Sequence, residues 1–150
     1  MTSDEAPRRE LPPGYQQQLD QGYAFGSVLT FAQRPLVTSV EQLVAWRPDV
    51  AVVGAPFDLG TTNRPGARFG PRALRTNAYN SGTYHLGYGL EIFDYVEVVD
   101  TGDVFCPHGQ VDASLANIRS AVSNIARHGI IPFTIGGDHT VTWPAATAVA

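Results

Sequence analysis

Gly129-Ile-Ile-Pro-Phe-Thr-Ile-Gly-Gly-Asp-His-Thr-Val-Thr-Trp-Pro144 is the stretch on which the fold turns. Its apolar run, Ile130 to Ile135, does not alternate, which predicts a short strand buried on both faces. Pro132 cannot donate to a ladder, so the paired part is expected over Phe133 to Ile135. Gly136-Gly137 ends the strand and lets the backbone turn tightly. Asp138 and His139 follow at the strand's carboxyl end, where open α/β sheets place their ligands. Thr142 is the expected N-cap of a new helix, and Pro144 fits its first turn. A carboxylate and an imidazole are thus presented from a strand-turn-helix corner, a useful place for a metal ligand.

Upstream, Leu115, Ile118, Val122 and Ile125 fall at helical spacing, with Asp112 or Ser114 as the cap and Gly129 as the closing residue. Tyr95 to Asp100 reads as a second strand, followed by Thr101-Gly102-Asp103. Strand, helix and strand make a βαβ unit with a right-handed crossover. Asp49 to Gly54 is another buried-strand signal, and Gly54-Ala-Pro-Phe-Asp58-Leu-Gly60 leaves it as a long loop. Gly70-Pro71 starts a helix that places Arg72 and Arg75 three apart on one face. Ser39-Val-Glu-Gln42 is a capping box for a short helix through Trp46, stopped by Pro48. Asn77 to Phe93 is a Gly- and Tyr-rich connection of little regular structure, and Met1 to Gly14 reads as a flexible tail. Tyr15 to Val37, with Tyr23, Phe25 and Phe31, is an apolar arm without a period, suited to cover the domain or a neighbouring subunit.

Hydrophobic content of 43% and charged content of 16% over 150 residues suit one globular α/β domain. The net charge of -4 argues against general nucleic-acid or anionic-membrane binding. The basic residues are all arginine, and without a lysine no P-loop is possible. Cys106 is the single cysteine, which excludes an internal disulfide and a multi-cysteine zinc site. No apolar segment suits a signal peptide or a membrane span, so a cytoplasmic protein is expected. There is no G-x-G-x-x-G, no H-E-x-x-H and no G-x-S-x-G.

Gly136-Gly-Asp-His-Thr140 resembles the Gly-Gly-Asp-His-Ser/Thr signature of the ureohydrolases, the arginase and agmatinase family. Pro56-Phe-Asp58, Arg64-Pro-Gly-Ala-Arg-Phe-Gly-Pro71 and Val99-Asp-Thr-Gly-Asp103 are similar to runs of the same family, closest to its agmatinase-like branch. The resemblance implies an α/β three-layer sandwich with a mostly parallel sheet, of which this chain is the amino-terminal portion. It divides the chain into a tail and apolar arm over 1–37 and a truncated ureohydrolase domain over 38–150. It implies that His139 is a ligand of a two-manganese centre, with nickel as the alternative metal, and that the reaction is hydrolysis of a guanidino compound to urea and an amine. Manganese favours carboxylate and imidazole donors, which is consistent with that assignment. The implied partners are a small cationic guanidino substrate and further copies of the chain.

Asp138 has two readings: it orients His139 or its loop, or it satisfies backbone donors at the turn. Asp58 and Asp103 divide similarly between facing a substrate guanidinium and bonding their own loops. Arg64, Arg68, Arg72 and Arg75 are expected in salt bridges. His85, His108 and His128 lack the context of His139, and Cys106-Pro-His108 reads as loop. The family's downstream Asp-Ala-His-x-Asp and Ser-x-Asp-x-Asp motifs do not occur in these 150 residues, and no catalytic residue is assigned within them. The alternative is an inactive module that acts through subunit assembly. Agmatine, guanidinobutyrate, guanidinopropionate, arginine and guanidine all remain as substrates.

Overall fold

The computed structural model describes residues 28–78 and 82–150. Its strands are β1 (Val50–Ala55), β2 (Tyr84–His85), β3 (Leu90–Glu91), β4 (Val98–Asp103) and β5 (Ile131–Gly136). Its helices are α1 (Val40–Trp46), α2 (Gly70–Ala78), α3 (Val111–Ala126) and α4 (Thr142–Val149). β1, β4 and β5 form a parallel sheet in the order β4-β1-β5. The chain therefore leaves β4 through α3 and crosses over β1 before returning as β5.

The central strand reads Val-Ala-Val-Val-Gly-Ala, and its period of two divides two apolar layers. Ala51, Val53 and Ala55 pack with Leu43 of α1, Ile118, Val122 and Ile125 of α3, and Ala145 and Ala148 of α4. Val52 faces the other way, with Val98, Ile135 and Phe31. Helix α2 lies on that second side, against β1, β5 and the turn at Phe31–Gln33. Helices thus flank the sheet on both faces, as expected of the three-layer α/β class. Full burial of Ile118, Val122 and Val52 contributes about 1.5–3 kcal/mol each.

β5 differs from its sequence reading. Ile131 is 63% and Phe133 is 51% exposed: among the described residues β5 lies at one edge of the sheet, and its face on the Val52 side is left partly uncovered there. Pairing also runs the whole strand, from Val50↔Ile131 to Ala55↔Gly136, and passes through Pro132. The amides of Ile131 and Gly137 donate to Asp49 and Ala55. Alternate residues of a strand point opposite ways, so the Pro132 nitrogen faces the open edge, where a missing N–H costs no ladder bond.

Thr142 is the first residue of α4, not its cap; the cap position is Val141, without a side-chain bond, and Asp138 caps a 3-10 turn just before it. The Thr140 amide donates to Asp138 Oδ1 at 2.8 Å, starting a 3-10 turn over His139–Val141 that runs directly into α4 at Thr142. Pro144 sits in the first turn of α4, as its fixed φ favours. α3 begins at Val111 with no side-chain cap; the Ser114 hydroxyl donates to the Gln110 carbonyl from inside the helix. Gly129 has a φ of +75°, the left-handed closing conformation expected of it. The box at α1 also forms: Ser39 Oγ accepts from Gln42 N, while Gln42 Oε1 accepts from Thr38 N.

β4 begins at Val98 and includes Thr101–Asp103, three residues later than Tyr95–Asp100. Ile92–Asp94 instead forms a 3-10 turn. The connection before it holds a small antiparallel hairpin, β2 with β3. Of the expected arm, Tyr15, Tyr23 and Phe25 lie outside the described residues. Phe31 packs within the chain, 6.0 Å from Phe133 between ring centroids. Leu36 bridges Asp100 in parallel register.

Candidate functional site

Two strands deliver the site from their carboxyl ends. β1 runs into Pro56-Phe57-Asp58, and β5 into Gly136 to His139. The turns stay zipped past the strands, since Gly137 N donates to Ala55 O at 3.0 Å and Asp138 N to Phe57 O at 2.8 Å. Only glycine fits at 137, where a Cβ would stand 1.7 Å from the Phe57 carbonyl oxygen.

His139 is exposed at this corner, and its ring has no hydrogen bond among the described residues. Both ring nitrogens are therefore uncommitted. Asp138 beside it is fully engaged with backbone: Oδ1 accepts from Thr140 N and Oδ2 from Gly60 N, both at 2.8 Å. Its carboxylate makes no bond to the imidazole. Asp58 is 4% exposed and accepts from Gly66 N at 2.7 Å and Arg68 N at 3.3 Å, with the Arg68 guanidinium at 3.1 Å. That carboxylate closes the base of its own loop, and its charge is met by Arg68.

On the β4 side of the sheet lies an ion cluster that the sequence reading did not single out at Asp100. Arg75 Nε donates to Asp100 Oδ2 at 2.7 Å, Nη2 to Asp100 Oδ1 at 2.9 Å, and Nη1 to Asp103 Oδ1 at 2.5 Å. Asp100 also accepts from Phe31 N at 2.7 Å and Gly102 N at 2.8 Å. Helix α2, strand β4 and the segment before α1 are thereby joined at one carboxylate. Burial works against the Arg75 charge, yet the hydrogen bonds and charges of Asp100 and Asp103 outweigh it and hold the guanidinium above its ordinary pKa.

A local irregularity makes the cluster possible. Val52 pairs with Asp100 but Gly54 pairs with Asp103, so β4 carries one extra residue, and Gly102 there has a φ of +78°. In a regular strand residues 100 and 103 point to opposite faces; the bulge turns both toward Arg75. Gly54 leaves the room, because a Cβ there would lie 1.9 Å from Asp103 Oδ1 and 3.0 Å from Pro71 Cβ. Gly54→Ala is accordingly expected to cost about 1–3 kcal/mol by overpacking, read as a lower midpoint in urea denaturation. An unchanged midpoint would show that Asp103 can move away freely.

The other candidate donors lie apart from this corner. His128 lines a small depression with Asp49, Gly129 and Ile131, at the amino ends of β1 and β5. His85 is in the hairpin, its ring 4.6 Å from that of Tyr88. Burial pushes the Cys106 thiol up, and the Asp103 charge adds to the effect. Among the described residues no three histidine, cysteine or acidic side chains come together to hold a metal. His139 fits as one donor to a borderline cation; the rest of a ligand set is not among these residues.

A family model described as the arginase family matches residues 48–150. The chain is 43% identical over 123 residues to the mitochondrial guanidino acid hydrolase of Rattus norvegicus, covering 82% of this chain and 33% of that protein. It is 30% identical to a crystal structure described as a hypothetical agmatinase from Burkholderia thailandensis, with a TM-score of 0.73 over 83% of this chain and 39% of the other. A formiminoglutamase from Trypanosoma cruzi, crystallised with manganese, shares 25% identity and a TM-score of 0.59 over 67% of this chain and 35% of the other. The chain spans about a third of the length of the curated relatives it matches.

Proposed function

The chain belongs to the arginase family, and on that premise we propose that it forms part of a hydrolase that cleaves a guanidino compound to urea and an amine. The observation that carries the reading is His139: an exposed, uncommitted imidazole at the carboxyl edge of a parallel sheet, in the Gly-Gly-Asp-His-Thr context. We assign it as one ligand of a two-manganese centre whose other ligands come from outside the described residues. The manganese-bound formiminoglutamase of the same fold supports that choice of metal.

A guanidinium carbon is a poor electrophile because resonance spreads its charge. A pair of bound manganese ions supplies an activated water at neutral pH. This chain's own contribution is placement. Gly137 lets β5 lie against Phe57, Asp138 fixes the turn, and both Asp58 and the Arg75 cluster hold the surrounding loops. The Asp58 charge is met by Arg68, whereas Asp100 and Asp103 share the single guanidinium of Arg75. No helix among the described residues is long and apolar enough to cross a membrane. A cytoplasmic location remains the reading from sequence.

The test is urea release by the full-length protein from agmatine, guanidinobutyrate, guanidinopropionate, arginine and guanidine, with manganese and after chelation. Urea from at least one compound, lost on chelation and restored by manganese, is the expected result. Absence of urea from all five in the manganese-loaded protein would overturn the proposal.

A further inference from the structure

The loop between β1 and α2 is held by two carboxylates from different parts of the chain. Asp58 closes its base through Gly66 N and Arg68 N. At the near end, Gly60 N donates to Asp138 Oδ2, across 78 positions of sequence. Among the described residues this is the one hydrogen bond that ties Gly60 to Pro65 to a distant part of the chain. Residues 62–65 are otherwise exposed. The backbone contact is close as well: a Cβ on Gly60 would stand 2.2 Å from Thr140 Oγ1 and 3.1 Å from Asp138 Oδ2.

Asp138 therefore does two things with one carboxylate. Oδ1 fixes the Thr140 amide, the residue after His139, and Oδ2 fixes the loop. A carboxylate that accepts two backbone N–H groups makes charge-assisted bonds, about twice as strong as neutral ones. We propose that Asp138 and Gly60 are a positioning pair that locks the Asp58–Arg68 loop to the His139 turn, so that the loop forms a fixed wall of the site and the imidazole keeps its direction. This rests on the reading of His139 as a metal ligand. Opening of the loop and loosening of the His139 turn are then one event rather than two.

The experiment compares Asp138→Asn, Gly60→Ala and the double variant in the full-length protein, by amide hydrogen exchange and by manganese titration. Asn keeps one acceptor but cannot serve both amides. Gly60→Ala leaves Asp138 intact and pushes the loop off Thr140. Each single variant should speed amide exchange both at position 60 and at Thr140 by about tenfold to a hundredfold, and the double should be no worse than the poorer single. Manganese affinity should fall by about tenfold to a hundredfold in both singles, as for other groups that orient a ligand. Protection at Val52 and Val53 in β1 reports whether a variant is still folded; if Asp138→Asn is not, Gly60→Ala alone decides.

Thr140 exchange at the wild-type rate in a folded Gly60→Ala protein would overturn the coupling. Faster exchange with wild-type manganese affinity would reduce the pair to a structural contact and overturn its positioning role. If the wild type binds no manganese, the ligand reading of His139 fails while the exchange result still stands, so the two failures are distinguishable.

Discussion

Arg75→Ala is expected to lower the free energy of unfolding by about 3–5 kcal/mol, enough to threaten the fold of an ordinary domain. The cause is the state in which it leaves its partner. Asp100 is fully buried and would be left with only the Phe31 and Gly102 amides as partners. Arg75→Lys should recover little, since a single ammonium cannot reproduce the two-pronged contact to Asp100 and also reach Asp103. Asp103→Asn should cost much less, because that side chain is 41% exposed and water screens the pair. Arg72→Ala, exposed on the same helix, should stay within about 0.5 kcal/mol. Urea denaturation of the four variants checks the order; an Arg75→Ala protein as stable as Arg72→Ala would refute the account of the cluster.

The second large effect is on turnover. His139→Ala removes one neutral imidazole from the proposed centre while leaving the turn's backbone bonds in place. Activity on a guanidino substrate should fall by orders of magnitude at ordinary manganese and recover in part at high manganese, because the defect is one of occupancy. His85→Ala and His128→Ala should change nothing, since one stands in the hairpin and the other at the opposite end of the sheet. Steady-state kinetics across a manganese series separates the three. A loss in His139→Ala that no manganese concentration relieves would argue for a direct role in the reaction instead.

Much of this architecture was legible because its signals are local. The run Val50 to Ala55, the spacing of Ile118, Val122 and Ile125, the box at Ser39 and the left-handed Gly129 each carry their structure in neighbouring residues. What escaped depends on which strand lies beside which. An apolar run does not say whether it is the centre or the edge of a sheet, so β5 looked fully buried when Ile131 and Phe133 are open. The 3-10 turn capped by Asp138 was hidden because Thr142 fits a cap pattern, and only geometry shows which oxygen meets an amide.

Asp100 escaped for a similar reason. Its partners come from α2 and from Phe31, 25 and 69 positions away, and the bulge at Gly102 that brings Asp103 to the same guanidinium leaves no periodic trace. The usable signal was an acidic residue closing an apolar strand, since such a charge is retained inside only with a partner. Asp58 and Asp138 were open in the sequence for a different reason: a loop or turn aspartate can serve either backbone or chemistry. Each carried two readings from the sequence, and their hydrogen bonds go to loop and turn backbone.

The most direct measurement is the manganese content of the full-length protein and its His139→Ala variant, by elemental analysis after equilibration at one fixed free manganese concentration. The account predicts about two metals per subunit in the wild type and loss of about one in the variant, the partner ion keeping its own carboxylates. An His139→Ala protein that kept both metals, with near-normal release of urea, would contradict it.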